Sequence, residues 1–328
     1  MYKIFKKERV MKMNTGKIMH AGKKAGSIAY KLVRAVMLCG IAYYILYPIL
    51  EKCLAAFMSI EDLYDKSVGI IPRHWTIENI ILVMKNIKFS SSAFNSLCLC
   101  VVSVLTQVLS CTLVGYGFAR FEFRGKKILF AAVILVLVIP VEVIITPLYL
   151  NYRYFDVFGI FKLVTGSSLN LLDSIWPFVI NGLTCMGLRC GLYIYLIRQF
   201  YRGVPKELEE AAAIDGAGYL TTFLRVMLPT GRPMIFVIAI FSLVWQWTDA
   251  FYPNWFYSSS SVMAVQVQSL AENLSIAQKL AGVTNLDTML TNMLDGIGTL
   301  LLTVPLIVVY MLTHKNLIGG IERSGIVG

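Results

Sequence analysis

The sequence predicts an all-α, polytopic membrane protein with six transmembrane helices, and three observations carry that expectation. The chain of 328 residues is 57% hydrophobic and only 15% charged, with a mean hydropathy of +0.68. Soluble domains hold about 45–50% apolar and about 25% charged residues, so a water-soluble fold of this size could not cover its surface. Second, six apolar stretches approach or exceed the roughly 20 residues a helix needs to cross a hydrocarbon core of about 30 Å. Third, the Lys and Arg residues gather on alternate sides of those stretches. Period-2 alternation is absent, which argues against a membrane barrel, and lipid offers no water to satisfy an open backbone, which leaves helices. The same composition excludes intrinsic disorder. Seven Cys, an odd and sparse number, exclude a disulfide-stapled scaffold.

In order along the chain, the expected spans are 35–59, 93–118, 128–150, 174–197, 233–256 and 295–313. With the N-terminus inside, the inner segments 1–34, 119–127, 198–232 and 314–328 carry 21 Lys and Arg, and the outer segments 60–92, 151–173 and 257–294 carry 7. This bias predicts N-in, C-in topology, and the net charge of +11 becomes a record of orientation rather than of nucleic-acid binding. No nucleic-acid partner is expected. Two regions follow: a basic cytoplasmic N-terminal arm, 1–34, and a six-span transmembrane domain, 35–328. The arm holds ten basic residues and one acid, Glu8, a composition that retains the first span in the cytoplasm and touches anionic lipid.

Catalytic and metal-binding signatures are missing. His20, His74 and His314 lie in three different segments, and no His-Glu-x-x-His pattern occurs. Cys39, Cys53, Cys98, Cys100, Cys111, Cys185 and Cys190 lie in or beside spans without a Cys-x-x-Cys pair, as small buried hydrophobes do. Gly16-Lys17, Gly22-Lys23 and Gly125-Lys126 are not followed by Ser or Thr, so no phosphate-binding Walker loop is present. No catalytic residue, metal or cofactor is assigned to this chain.

The informative segment is the inner loop 198–232. Pro205 suits the start of a helix, and Glu207, Glu209 and Glu210 fall in its first turns, where the helix dipole favours acids. Leu208, Ala211, Ala212 and Ile214 supply an apolar side. Asp215, Gly216 and Gly218 break the helix, and a second short helix is expected from 219 to 228, ended by Pro229. Small residues from Ala211 to Gly218 permit close approach by another surface.

Glu210-Ala211-Ala212, three residues, Gly216, nine residues, Val226, one residue, Leu228-Pro229 resembles the EAA loop of binding-protein-dependent ABC importer permeases. That pattern reads Glu-Ala-Ala, three residues, Gly, nine residues, Ile, one residue, Leu-Pro, and only Val226 departs. Residues 198–218 look like the carbohydrate-uptake branch, of the type of the shorter maltose-permease subunit. Asn95-Ser96-Leu97, Ile139-Pro140, Pro147-Leu148-Tyr149, Trp245-Gln246-Trp247-Thr248-Asp249 and the Gly-rich tail from Gly319 are similar to segments of that branch. The resemblance covers roughly 35–328.

It implies an importer permease, not itself an enzyme, in a bacterial inner or plasma membrane. The implied partners are a second homologous permease subunit, two cytoplasmic ATP-binding subunits and an extracellular solute-binding protein, with ATP and Mg on the partner ATPases. The loop would be a cytoplasmic coupling helix. Glu210 would make a charge-assisted contact to the ATPase, Ala211 and Ala212 would pack in its cleft, and Gly216 would allow a sharp turn. Glu209, Asp215, Leu228 and Pro229 complete the coupling set.

Ionisable residues inside spans mark a path for solute: Glu142, Arg189 and Asp249. Trp245, Trp247 and Tyr252 beside Asp249 form a sugar-like constellation of polar groups and aromatic faces; the alternative is that they anchor a span end at the interface. Glu142, between Pro140 and Pro147, faces either a cavity or another helix. Arg189 meets either an anionic substrate or an acid. The outer loop 257–294 faces either the binding protein or solvent alone. The loop does not encode the substrate, so a phosphate ester or peptide stands beside a sugar. A secondary transporter is the other alternative; it would need no such loop and would show more spans, internal repeats and carboxylate ion sites. A membrane enzyme would need clustered His, Cys or carboxylates at the membrane face, and none is seen.

Overall fold

The structure is a computed structural model that describes residues 30–259, 261–274 and 288–325. Most of the basic arm, 1–29, and the outer-loop segment 275–287 lie outside the described residues. Every regular element among the described residues is helical apart from two isolated bridges, Met58 with Trp75 and Phe155 with Leu169. The chain divides into two compact units, Met1–Thr76 and Ile77–Gly328.

The first unit contains α1, Tyr30–Ala55, and α2, Ile60–Tyr64. α1 is apolar on all sides and none of it is buried within the chain, as expected of a helix whose solvent is lipid. After it the chain folds into a tight knot. Ser59 Oγ accepts the Asp62 N–H at 3.1 Å and caps α2. Asp62, buried, accepts the backbone N–H groups of Arg73 at 2.7 Å and His74 at 2.6 Å, and its other oxygen lies 2.8 Å from His74 Nδ1. The His74 backbone N–H, above all, holds the Asp62 carboxyl below its usual range. The hydrogen bond that the His74 ring donates to Asp62 raises His74.

These shifts fix a pH dependence. Stabilisation from His74 is complete below its unfolded value and is lost as pH rises through the raised one. Stabilisation from Asp62 is present above its unfolded value and is lost as pH falls through the lowered one. The knot is therefore expected to be firmest between the two, and Trp75, which packs on Phe57 at 6.0 Å between ring centroids, reports on it. Its fluorescence is expected to change as pH rises past His74's titration, and Asp62→Ala is expected to abolish that change.

The second unit begins with α3, Glu78–Asn86, and α4, Phe89–Arg120. α4 is its central post: α8, α9 and α12 pack on it. Its 32 residues carry a buried seam of small and polar side chains, among them Ser96, Cys100, Ser103, Gln107, Ser110 and Cys111. Spacings of three, four and seven put them on one face. α5, Lys126–Val138, and α6, Val141–Arg153, meet at a bend of 104°. Pro140 causes it: proline has no N–H to continue the ladder and pushes Ile139 into an extended conformation, ψ 121°. A short helix, α7, Ile160–Thr165, follows.

The fourth expected span is interrupted. Residues 174–197 hold α8, Trp176–Leu183, and only part of α9, Cys190–Gly203. Between them Cys185 and Arg189 take left-handed conformations, φ 59° and 61°. The fifth expected span, 233–256, also divides. α12, Arg232–Thr248, stops at Asp249, whose Oδ1 accepts the Phe251 N–H at 3.0 Å and starts α13, Phe251–Phe256.

Between α9 and α12 lie α10, Glu207–Ile214, and α11, Tyr219–Thr230. α14, Met263–Gln268, and α15, Thr288–Gly325, complete the unit, and α12 and α14 both pack on α15. Among the described residues, three helices are long and apolar enough to cross a membrane, or up to five if each bent pair counts as one span. Buried clusters among the described residues hold the unit together. Tyr193, Ile197 and Tyr201 of α9 pack with Cys111 and Tyr116 of α4 and Ile238 of α12. Tyr152 of α6, Phe178 of α8 and Phe256 of α13 form another.

Candidate coupling loop and membrane cavity

α9 runs out at Gly203, Val204 is extended, and α10, Glu207–Ile214, begins after Pro205 and Lys206. Glu207, Glu209 and Glu210 occupy its first turn, where the unsatisfied N–H groups favour negative charge. The other end is a Schellman cap. Gly216 takes φ 81° and donates its N–H to Ala213 O at 3.0 Å, while Ala217 donates to Ala212 O at 2.9 Å. A side chain at Gly216 would meet open space, so the demand for glycine is purely conformational.

The structure sorts the expected coupling residues into two sets. Glu210, Ala211, Asp215 and Gly216 are exposed. Glu209, Ala212, Leu228 and Pro229 turn toward the chain's own packing. Glu209 Oε1 accepts the Tyr116 hydroxyl at 2.7 Å, and its Oε2 lies 3.2 Å from Arg120 Nε. Arg120 is 5% exposed and also donates to Val204 O at 2.7 Å. α10 is thereby fastened to the end of α4. Ala212 is buried, and Leu228 packs against the α4–α9–α12 core.

The second helix of the loop does not stop at Pro229. α11 runs Tyr219–Thr230 with one π turn over Phe223–Met227, and Pro229 sits in its last turn. Leu228 donates to Phe223 O, five residues back. Side chains cover neighbouring carbonyls: Thr230 Oγ1 donates to Val226 O at 2.7 Å and the Tyr201 hydroxyl to Met227 O at 3.0 Å. The chain turns by 72° into α12 at Gly231, where any Cβ would strike Tyr201. Three exposed side chains of the loop lay outside the expected coupling set: Ile214 at 87%, Tyr219 at 85% and Leu220 at 70%. They make an apolar strip beside Glu210 and Asp215 in sequence. Their signal was present in the sequence, as apolar residues flanking the Asp-Gly break.

The expected path residues separate as well. Trp245 and Asp249 share the wall of a cavity of about 490 Å³, with Thr248, Phe251, Asn254 and Gln268. Arg189 places its guanidinium 4.5 Å from the centre of the Trp245 ring, a cation–π distance. Asp249 Oδ2 is buried with no hydrogen-bond partner among the described residues. Trp247 points elsewhere: its Nε1 donates to Leu302 O of α15 at 2.9 Å. Tyr252 is buried against Phe256, and Glu142 is exposed in the first turn of α6; neither lines the cavity. Thr248, Asn254 and Gln268, the last accepting from Asn254 at 3.3 Å, are polar cavity groups that sequence reasoning missed.

α4 and α12 pack on each other through buried polar side chains. Ser242 Oγ donates to Gln107 Oε1 at 2.7 Å. Going toward Asp249, Gln246 follows four residues after Ser242 and Ser103 four before Gln107, and both are buried. Among the described residues no group of three His, Cys, Asp or Glu could hold a metal ion.

Comparison with known proteins agrees with this architecture. The arabinooligosaccharides transport system permease protein AraQ of Halalkalibacterium halodurans is 24% identical, over 88% of this chain and 93% of that protein. The trehalose transport system permease protein SugB of Mycobacterium tuberculosis is 24% identical, over 80% of this chain and 86% of that one. A crystal structure of a bacterial ABC transporter involved in the import of the acidic polysaccharide alginate shares the fold, with TM-score 0.66 and 21% identity over 87% of this chain and 95% of that one. Residues 112–322 match the family described as binding-protein-dependent transport system inner membrane component. The match spans well over half of the chain, including the coupling loop, the cavity and α12. The chain therefore belongs to that family of ABC transporter permeases, membrane transport components rather than enzymes.

Proposed function

We propose that the chain is the permease subunit of an ATP-driven importer for a sugar or oligosaccharide, and that it converts ATPase closure into alternating access through the loop 198–232. Six crossings are formed by α1, α4, α5 with α6, α8 with α9, α12 with α13, and α15, with both termini in the cytoplasm. A second, homologous permease completes the path. Two ATP-binding subunits, which hold ATP and Mg, bind below, and one of them takes Glu210, Ala211, Asp215 and the exposed residues Ile214, Tyr219 and Leu220 into its cleft. An extracellular solute-binding protein delivers the ligand to the outer side, which includes 257–294.

The observation that carries this reading is the capped helix Glu207–Ile214 itself. It presents an acid and apolar side chains outward while Glu209 ties it to the post helix α4. A push on α10 is thus delivered to α4, and from α4 to α8, α9 and α12. Cavity states that differ in the position of α10 are what ATPase closure can select between.

The carbohydrate reading rests on the relatives' named substrates and on the wall where an indole face and a carboxylate stand side by side. Sugars use both, through their apolar C–H faces and their hydroxyls. Asp249→Asn and Trp245→Ala are each expected to lower oligosaccharide uptake at least tenfold, while Trp247→Phe, which alters a contact to α15, lowers the thermal midpoint instead. Uptake of a labelled oligosaccharide checks it, and unchanged uptake in both cavity variants would remove the cavity from the path. Arg189 beside Trp245 favours a second reading within the same importer class: a solute bearing an anionic group, such as a phosphate ester.

A further inference from the structure

A second cavity, of about 940 Å³, opens where the end of α4, the start of α5 and the last turns of α9 meet. Its lining is strongly basic: Arg120, Lys126, Lys127, Arg198, Arg202 and Lys206 face a single acid, Glu122. Two of these cations are committed. Arg120 is held by Glu209 and Val204 O, and Lys126 lies 2.8 Å from Glu122. Of the remaining four, Lys127 and Lys206 feel the charge of Glu122 from a distance, and none of Lys127, Arg198, Arg202 and Lys206 forms an ion pair within 4.0 Å among the described residues.

Arg198 is the most informative of them. Its guanidinium lies 3.8 Å from the centre of the Phe130 ring, and its Nε is buried with no hydrogen-bond partner among the described residues. A half-buried guanidinium whose buried Nε stands idle, beside a second arginine, is a fork that lacks its anion. The floor of the cavity is apolar, with the Phe118 ring in contact with both Phe123 and Phe130. Basic head and apolar floor at the cytoplasmic end of a span is the arrangement that takes a lipid phosphate, whose acyl chains stay in the bilayer.

We propose that this cavity binds the phosphodiester of an anionic membrane lipid, held by Arg198 and Arg202 with Lys127 and Lys206 at the rim. Lys206 immediately precedes α10 and Arg120 anchors Glu209, so the lipid sits against the two supports of the coupling helix. The inference rests on the membrane setting of the chain and not on which solute is carried. Its test reads binding, so a failed transport assay would not touch it.

The experiment uses the purified full chain in neutral detergent, with its thermal midpoint followed by intrinsic fluorescence. Phosphatidylglycerol in mixed micelles is expected to raise the midpoint by several degrees. Phosphatidylcholine, and inorganic phosphate at matched concentration, are expected not to. The R198Q/R202Q double variant is expected to lose the shift; should that variant fail to fold, K127Q/K206Q, at exposed positions, is expected to show a smaller shift than the parent. An equal shift with phosphatidylcholine, or a full shift in the variants, would overturn the proposal. A shift produced by inorganic phosphate alone would also overturn it, by assigning the site to a soluble anion. Protection by a purified ATPase subunit, with no effect of any lipid, would assign the basic face to a protein and overturn it equally.

Discussion

Replacing Gly216 with Pro is expected to bring solute uptake down to background while the chain still reaches the membrane. Gly216 closes α10 at φ 81°, and proline fixes φ near −65°. The same change deletes the N–H that bonds Ala213 O at 3.0 Å, and it displaces the Ala217 N–H from Ala212 O. Both bonds of the cap are lost together, and the loop can no longer hold Glu210 and Ile214 on one outward strip. Alanine is a milder probe, because a Cβ in this conformation costs about 1 kcal/mol and meets no neighbour. Gly216→Ala is accordingly expected to cost uptake a few-fold, and Gly216→Pro at least a hundredfold. Labelled-sugar uptake, normalised to the amount of chain in the membrane fraction, separates the two.

The second large effect is expected from Arg120→Ala. Arg120 carries the Val204 carbonyl and the Glu209 carboxylate at once, and its removal leaves a partly buried acid with only the Tyr116 hydroxyl. Breaking a fully buried pair costs about 3–5 kcal/mol. Glu209 is 22% exposed, so water offsets part of this, and about 1–3 kcal/mol is the expected cost. Each 1.4 kcal/mol is about a factor of ten in an equilibrium, so α10 should leave its seat on α4 at least several times more often. Glu209→Ala alone is expected to cost less, and Arg120→Ala with Glu209→Ala less than the sum of the two, because one charge no longer stands unpaired. Thermal midpoints of the four proteins in the cycle measure this, and uptake is expected to fall in the same order.

Much of this was legible in the sequence where a residue's role depends on near neighbours. The long apolar helices α4 and α15 follow from uninterrupted hydropathy, and the α10 cap follows from Asp215-Gly216. The bend after Ile139 follows from Pro140, since proline's effect is local. The break in residues 174–197 was not legible. Thr184 to Leu188 keeps the average hydropathy high, while the left-handed backbone at Cys185 and Arg189 leaves no mark in composition. Pro229 misled for a related reason: a π turn and the Tyr201 and Thr230 hydroxyls absorb the defect it creates, and Tyr201 lies far away in sequence.

The path residues show the same division. Trp245 and Trp247 stand two apart on α12 and so point to nearly opposite sides of a helix, one to the cavity and one to α15. Periodicity implied that split, but not which side held the cavity. Glu209 and Glu210 are consecutive, about 100° apart around α10, and only the position of Arg120, contributed by a distant helix, decides which is tied down and which is free.

Glu210→Lys tests the central claim most directly, because Glu210 is exposed and its reversal disturbs no internal contact of the chain. In the assembled complex the account predicts a normal amount of protein in the membrane, ATP hydrolysis that continues at its basal rate, and uptake reduced to background. Uptake at the parental level with Lys at 210 would contradict it, and would show that this loop does not carry the drive from the ATPases to the path.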